Sequence, residues 1–120
     1  MMDIITVSSE IEKKINELEK AKKFLNERSG KKAEAIALYD KELAITILKI
    51  RNETISEFEG IEIKGLPATI LEKVAKGVCF NEKLNQDKAE ADYKSLIVYI
   101  KTTESQLNGW QSIYRYLNEK

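Results

Sequence analysis

A chain of 120 residues with no histidine and a single cysteine lacks the commonest general base and the usual zinc ligand sets, and one thiol cannot close a disulfide within the chain. Its 20 basic residues equal its 20 acidic ones, so no global field draws it onto a nucleic acid or an anionic membrane, and any such binding must be local. With 33% charged residues and one proline, the composition is that of a helix-rich single domain and not of a disordered tail.

The N-terminal residues Met1 to Val7 form neither the basic region nor the apolar core of a signal peptide. No run approaches the roughly 20 apolar residues of a membrane span. The expectation is a soluble, cytoplasmic protein.

A first helix is predicted over 9–52. Ser9 with Glu12 three residues later reads as a capping box, and Ile11, Ile15, Leu18 and Leu25 share one stripe. Carried forward, that register passes through Lys22, Ser29 and Lys32 before resuming at Ile36, Tyr39, Leu43 and Ile50. Gly30 lies in the interruption, as a kink, a break or a weak spot costing about 1 kcal/mol relative to alanine; a continuous helix with a weak middle is the favoured reading. From Ala33 to Ile50 the apolar residues cover more than one face, which requires cover on more than one side. Ile45, Thr46 and Ile47 are β-branched and compatible with a strand, but the alanine-rich approach favours helix.

Residues 53–66 are predicted as a loop or a small hairpin, since Phe58 to Ile63 alternates around the pair Glu59 and Gly60. A short helix follows over 67–76, with Pro67 at its first position and Gly77 as its stop; Ile70, Leu71, Val74 and Ala75 form its apolar face. Val78 to Asn81 is a connector in which Asn81 caps the last helix, predicted over 82–118. There Tyr93, Leu96, Ile100, Thr103, Leu107, Trp110, Tyr114 and Leu117 keep one unbroken four-three spacing, the pattern of a helix laid along a partner helix.

The predicted fold is therefore all-α: a long antiparallel, coiled-coil-like helical hairpin in one domain, with a short helix and a small β-hairpin or loop at the connecting end. Counting back from the turn places Tyr93 near Lys41, Ile100 near Glu34, and Trp110 near Lys22 to Phe24. Two helices alone have almost no interior, so a helical-bundle homo-oligomer is expected to cover residues 33–50 and the set Tyr99, Ile113 and Tyr116.

Chemistry is sparse. Glu53, Glu57, Glu59 and Glu62 are read as solvated carboxylates and not as a metal site, and Cys79, between Val78 and Phe80, as a buried thiol. No glycine-rich phosphate loop is present. No catalytic residue, metal ligand or cofactor is predicted, and the chain is not read as an enzyme. The candidate contact residues for a protein partner, a nucleotide or a nucleic acid are Lys20, Lys22, Lys23, Arg28, Lys31 and Lys32, set by the count-back opposite Trp110, Tyr114, Arg115 and Tyr116. Cations beside aromatics can hold phosphates and stack bases; the favoured reading of the lysines is a solvated helix face.

The stretches Ala44 to Asn52, Ile61 to Ile70, Val74 to Cys79, Ala89 to Lys94 and Leu107 to Ile113 resemble small helical proteins encoded by phages and prophages of Gram-positive bacteria, a group without an assigned activity. The resemblance spans roughly residues 33–118. It implies a protein of the bacterial host's cytoplasm that acts by binding a host or phage protein, as an accessory or host-takeover factor. The alternative is a nucleic-acid or nucleotide binder, in recombination or as a sponge in counter-defence, using the basic and aromatic end.

Overall fold

The computed structural model describes residues 2–119. The fold is all-α, a long antiparallel helical hairpin in which α1 (Ile4–Arg51) and α3 (Phe80–Asn118) are the arms. Between them come a two-stranded antiparallel hairpin, β1 (Glu57–Phe58) and β2 (Ile61–Glu62), and a short helix α2 (Ala68–Val78).

The start of α1 corrects the expected cap. Asp3 Oδ1 accepts the backbone N–H of Thr6 at 2.8 Å, which satisfies one of the amides that a helix start leaves unpaired. This bond holds the Asp3 carboxyl below its ordinary range, with the Thr6 backbone donor as the main cause and the Thr6 side chain next. The helix therefore begins five residues before Ser9, and Ser9 and Glu12 lie within it. It then runs unbroken through Gly30 to Arg51, because the helix formers lysine, glutamate, leucine and alanine make up more than half of it and no proline interrupts it.

Two compact units divide the chain. The first joins the residues up to Ser29 with those from Ala91 on; the second comprises Gly30–Glu90. In the first, Leu18 and Ala21 of α1 pack with Leu96 and Ile100 of α3, flanked by Leu25 and Leu107. On α3 all eight seam positions from Tyr93 to Leu117 are buried or half-buried, and of the residues between them only Ile97 is less than exposed. On α1 the inward stripe is Val7, Ile11, Lys14, Leu18, Ala21, Leu25 and Arg28, with Glu10 and Glu17 half-buried beside it. The expected stripe shared Ile11, Leu18 and Leu25 but took Ile15, Lys22 and Ser29, each one residue too far along. Ile15 is 39% exposed, whereas Lys14 turns inward and pairs with Glu17 at 3.3 Å.

In the second unit Ile50, Ile63, Leu71 and Ala75 form the core, with Leu43, Ile47, Ile55, Phe58, Leu66 and Val74 against it. After α1 the chain turns at Glu53, at φ 64°, and the Ile55 N–H returns to the Lys49 carbonyl at 3.1 Å. The expected loop-or-hairpin is a hairpin. Glu59 and Gly60 both have positive φ, 52° and 77°, as the turn that matches strand twist requires, and Phe58 faces Ile61 while Glu57 faces Glu62. Such a short pair is not stable alone; it is anchored by buried Ile63 and by Phe58.

The ends of the short helix are also corrected. Pro67 precedes α2 as its cap, and its carbonyl accepts Leu71 N–H at 2.9 Å. Gly77 is helical and stops nothing; a Cβ there would lie 3.3 Å from the Phe58 ring, so the missing side chain admits the hairpin. Cys79 alone separates α2 from α3, its N–H bonded to the Ala75 carbonyl and its carbonyl accepting Lys83 N–H, both at 3.1 Å. Asn81 therefore sits inside the first turn of α3 and does not cap it.

Candidate interaction and ligand-contact site

The pairing of α1 with α3 decides which side chains meet. Within the first unit, Arg28 Nη1 donates to the Asp92 carbonyl at 3.4 Å, and Ile100 clusters with Leu18 and Ala21, not with Glu34. The α1 partner of Ile100 is thus displaced about four helical turns toward the N-terminus from the count-back. The cause lies in the second unit. There the last turns of α1, through Ile47 and Ile50, are covered by Ile63, Leu71 and Ala75, and α3 begins only opposite Thr46, whose hydroxyl lies 3.3 Å from Cys79 Sγ. One turn on, Lys83 Nζ stands 5.4 Å from the centre of the Tyr39 ring. Cys79 is buried.

This register separates the candidate residues. Lys20 and Arg28 line an open groove of ≈ 440 Å³ along the first unit, together with Glu17, Phe24 and Tyr99 over a floor that includes Ala21 and Leu96. The aromatics beside these cations are Phe24 and Tyr99, 50% and 46% exposed, and not Trp110 and Tyr114. Tyr114 and Arg115 instead lie with Ile11 and Gln111 in a separate shallow groove, where Arg115 Nη2 donates to Ser112 Oγ at 3.4 Å. Trp110 is half-buried on the α3 stripe, Tyr116 is exposed, and Lys22 and Lys23 are exposed and line neither groove. Lys31 and Lys32 belong to the second unit, the first exposed and the second half-buried.

Phe24, Ser95 and Tyr99 are not among the site residues expected from the sequence, where Tyr99 is read only as a residue for an oligomer to cover. Their signal is the spacing Lys20, Phe24, Arg28, a cation one turn on either side of an aromatic, and Ser95, Tyr99 one turn apart on α3. Without the register the two sets could not be placed together.

Among the described residues, no group of three or more histidine, cysteine, aspartate and glutamate side chains is placed to hold a metal ion, and no helix is long and apolar enough to cross a membrane. No known protein family matches the chain, and no curated protein or solved structure is detectably similar to it.

Proposed function

We propose that this chain is a non-catalytic helical interaction protein that self-associates and acts by binding, in the manner of a phage-encoded accessory or host-takeover factor. One observation carries the reading: the middle of α1 has two apolar faces, and its own chain covers one. Tyr39, Leu43, Thr46, Ile47 and Ile50 are buried or half-buried. Ala37, Leu38, Ala44 and Leu48 are exposed, with Ile45 half-buried among them, and Leu48 is 58% exposed. Ala37 with Ala44 and Leu38 with Ile45 are seven residues apart, and Leu48 follows one turn after Ala44. This places all five along one side of the helix, about the exposed Lys41, and suits a second helix.

Leaving such a face in water forfeits about 25 cal/mol for each Å² of apolar surface that a partner would bury, and contiguous exposed apolar surface marks interaction sites. A second copy supplies the same face by two-fold symmetry, the commonest way in which soluble chains associate. Tyr99, Ile113 and Tyr116 add exposed apolar area on α3.

Light scattering at increasing concentration tests the reading. The expected mass is at least twice the 13.8 kDa of the chain, and Leu48→Glu, an exposed and fold-neutral change, should return it to the monomer. A monomer at every concentration up to the millimolar range overturns self-association.

A further inference from the structure

The groove beside Phe24 has a composition that self-association does not call for. Its floor is apolar, with Ala21 and Leu96 buried. Two half-exposed aromatics stand over that floor, Phe24 on α1 and Tyr99 on α3. Lys20 and Arg28 lie one helical turn before and after Phe24, about 6 Å along the axis on either side at 1.5 Å per residue. Ser95 adds a hydroxyl from the opposite helix.

The charges in the groove are unevenly matched. Glu17, its one carboxylate, is already paired with Lys14 at 3.3 Å. Lys20 has no ion-pair partner among the described residues. Arg28 occupies an inward position of the four-three stripe, where an apolar residue would pack, yet it meets no carboxylate there; its bond is to the neutral Asp92 carbonyl. A guanidinium carries donors in a planar fork suited to phosphate or carboxylate, and one such bond leaves most of them unused. The groove thus presents two uncompensated cations around stacking faces. At ≈ 440 Å³ it falls within the range of small-ligand sites, which pair apolar walls with a few polar groups.

We infer that this groove binds a nucleobase bearing phosphate, the base stacked against Phe24 and Tyr99 and the phosphate held by Lys20 and Arg28. The occupant is either a free mononucleotide or a nucleotide within a single strand, since both present the same aromatic face and anion. Balanced net charge does not oppose this, because the attraction comes from two local cations and not from the whole chain. The inference stands apart from the α1 face proposed to join two copies, which lies on 37–48; the groove residues lie on 17–28 and 95–99, and Tyr99 is the one residue that both readings use.

The experiment titrates the full chain at low salt with two probes, adenosine triphosphate followed by calorimetry and a fluorescein-labelled oligothymidylate followed by anisotropy. Saturable binding of either supports the site and names its source: the nucleotide alone a free ligand, the strand alone a polymer. Phe24→Ala and Tyr99→Ala should each weaken binding about fivefold or more, the loss expected for a stacked base, with unchanged thermal melting because both rings are half-exposed. Lys20→Gln should weaken it comparably, while Lys101→Gln, an exposed cation outside the groove, should not. If the strand binds, the slope of log affinity against log salt should be roughly −0.7, the value for one neutralised phosphate on a single strand. The inference is overturned if neither probe saturates at low salt. It is equally overturned if binding survives in Phe24→Ala and Tyr99→Ala, or if Lys101→Gln costs as much as Lys20→Gln, since attraction would then be a property of the surface and not of the groove.

Discussion

The two compact units solve the problem of a helical pair differently. In the second unit Leu43, Ile47 and Ile50 of α1 pack with a third layer, because α2 and the small hairpin supply Leu71, Ala75, Ile63 and Phe58 to its core. In the first unit two helices are all there is. Its clustered buried side chains are Leu18, Ala21, Leu96 and Ile100, and beside the seam only Glu10, Glu17 and Ile97 among the described residues are half-buried. A narrow seam leaves open flanks, and the groove of Phe24 and Tyr99 is one of them. The comparison teaches that the added hairpin and short helix are what turn a helical pair into a core, and that a groove is left open where no third layer covers the pair.

The strongest way to break this comparison is a charge in the narrow seam. Ile100→Asp should cost about 3–5 kcal/mol, the scale of an uncompensated buried charge, since no third layer can repack around it. Hydrogen exchange should show lost protection over 11–28 and 93–107, while amides near Ile50, Leu71 and Ala75 keep theirs. Leu71→Ala, expected to cost about 2–5 kcal/mol through the cavity it leaves, should give the reverse pattern. If either variant strips protection from both regions equally, they unfold as one body and the contrast fails.

The same contrast explains what was legible in the sequence. The α3 seam could be read in full, because its inward residues from Tyr93 to Leu117 are large and almost all apolar. The α1 seam could be read only at Ile11, Leu18 and Leu25. At its other positions it uses Val7, which precedes the predicted helix, and Lys14, Ala21 and Arg28, and choosing the more apolar Ile15 led the stripe onto the wrong flank. Pairing two helices also depends on where the return begins, which the Thr46 and Cys79 contact sets and no local pattern encodes. Half of the site was visible as the basic residues Lys20 and Arg28, but its aromatic half was assigned to Trp110 and Tyr114 because the register was misplaced.

A smaller effect of opposite sign sharpens the comparison within the helices themselves. Gly30 of α1 and Gly109 of α3 are both helical, and a Cβ at either would meet nothing within 4 Å. Replacing each by alanine should therefore stabilise the protein by about 1 kcal/mol through helix propensity and a less flexible unfolded chain. Chemical denaturation of the two single variants should show later midpoints with unchanged slopes. Gly77→Ala in the second unit should fall short of that gain, because the new methyl meets the Phe58 ring at 3.3 Å. Equal gains at all three positions would mean that the hairpin does not press on α2.

The smallest effect concerns the outer end of the first unit, where the helix start hangs on Asp3. Its carboxyl pKa is lowered in the folded chain, chiefly by the hydrogen bond from Thr6 N–H, so folding favours the ionised form. The sign follows from linkage: the contribution is fully present above the ordinary aspartate value and is lost as pH falls through the lowered folded value. Below that pH the first turn of α1 should fray while the rest of the helix persists. The Thr6 amide signal, followed by nuclear magnetic resonance from neutral to acidic pH, should shift and exchange faster across that window. Asp3→Asn retains an acceptor oxygen for Thr6 but carries no titrating charge. It should hold the first turn with no pH dependence, and an unchanged titration in that variant would assign the effect to a group other than Asp3.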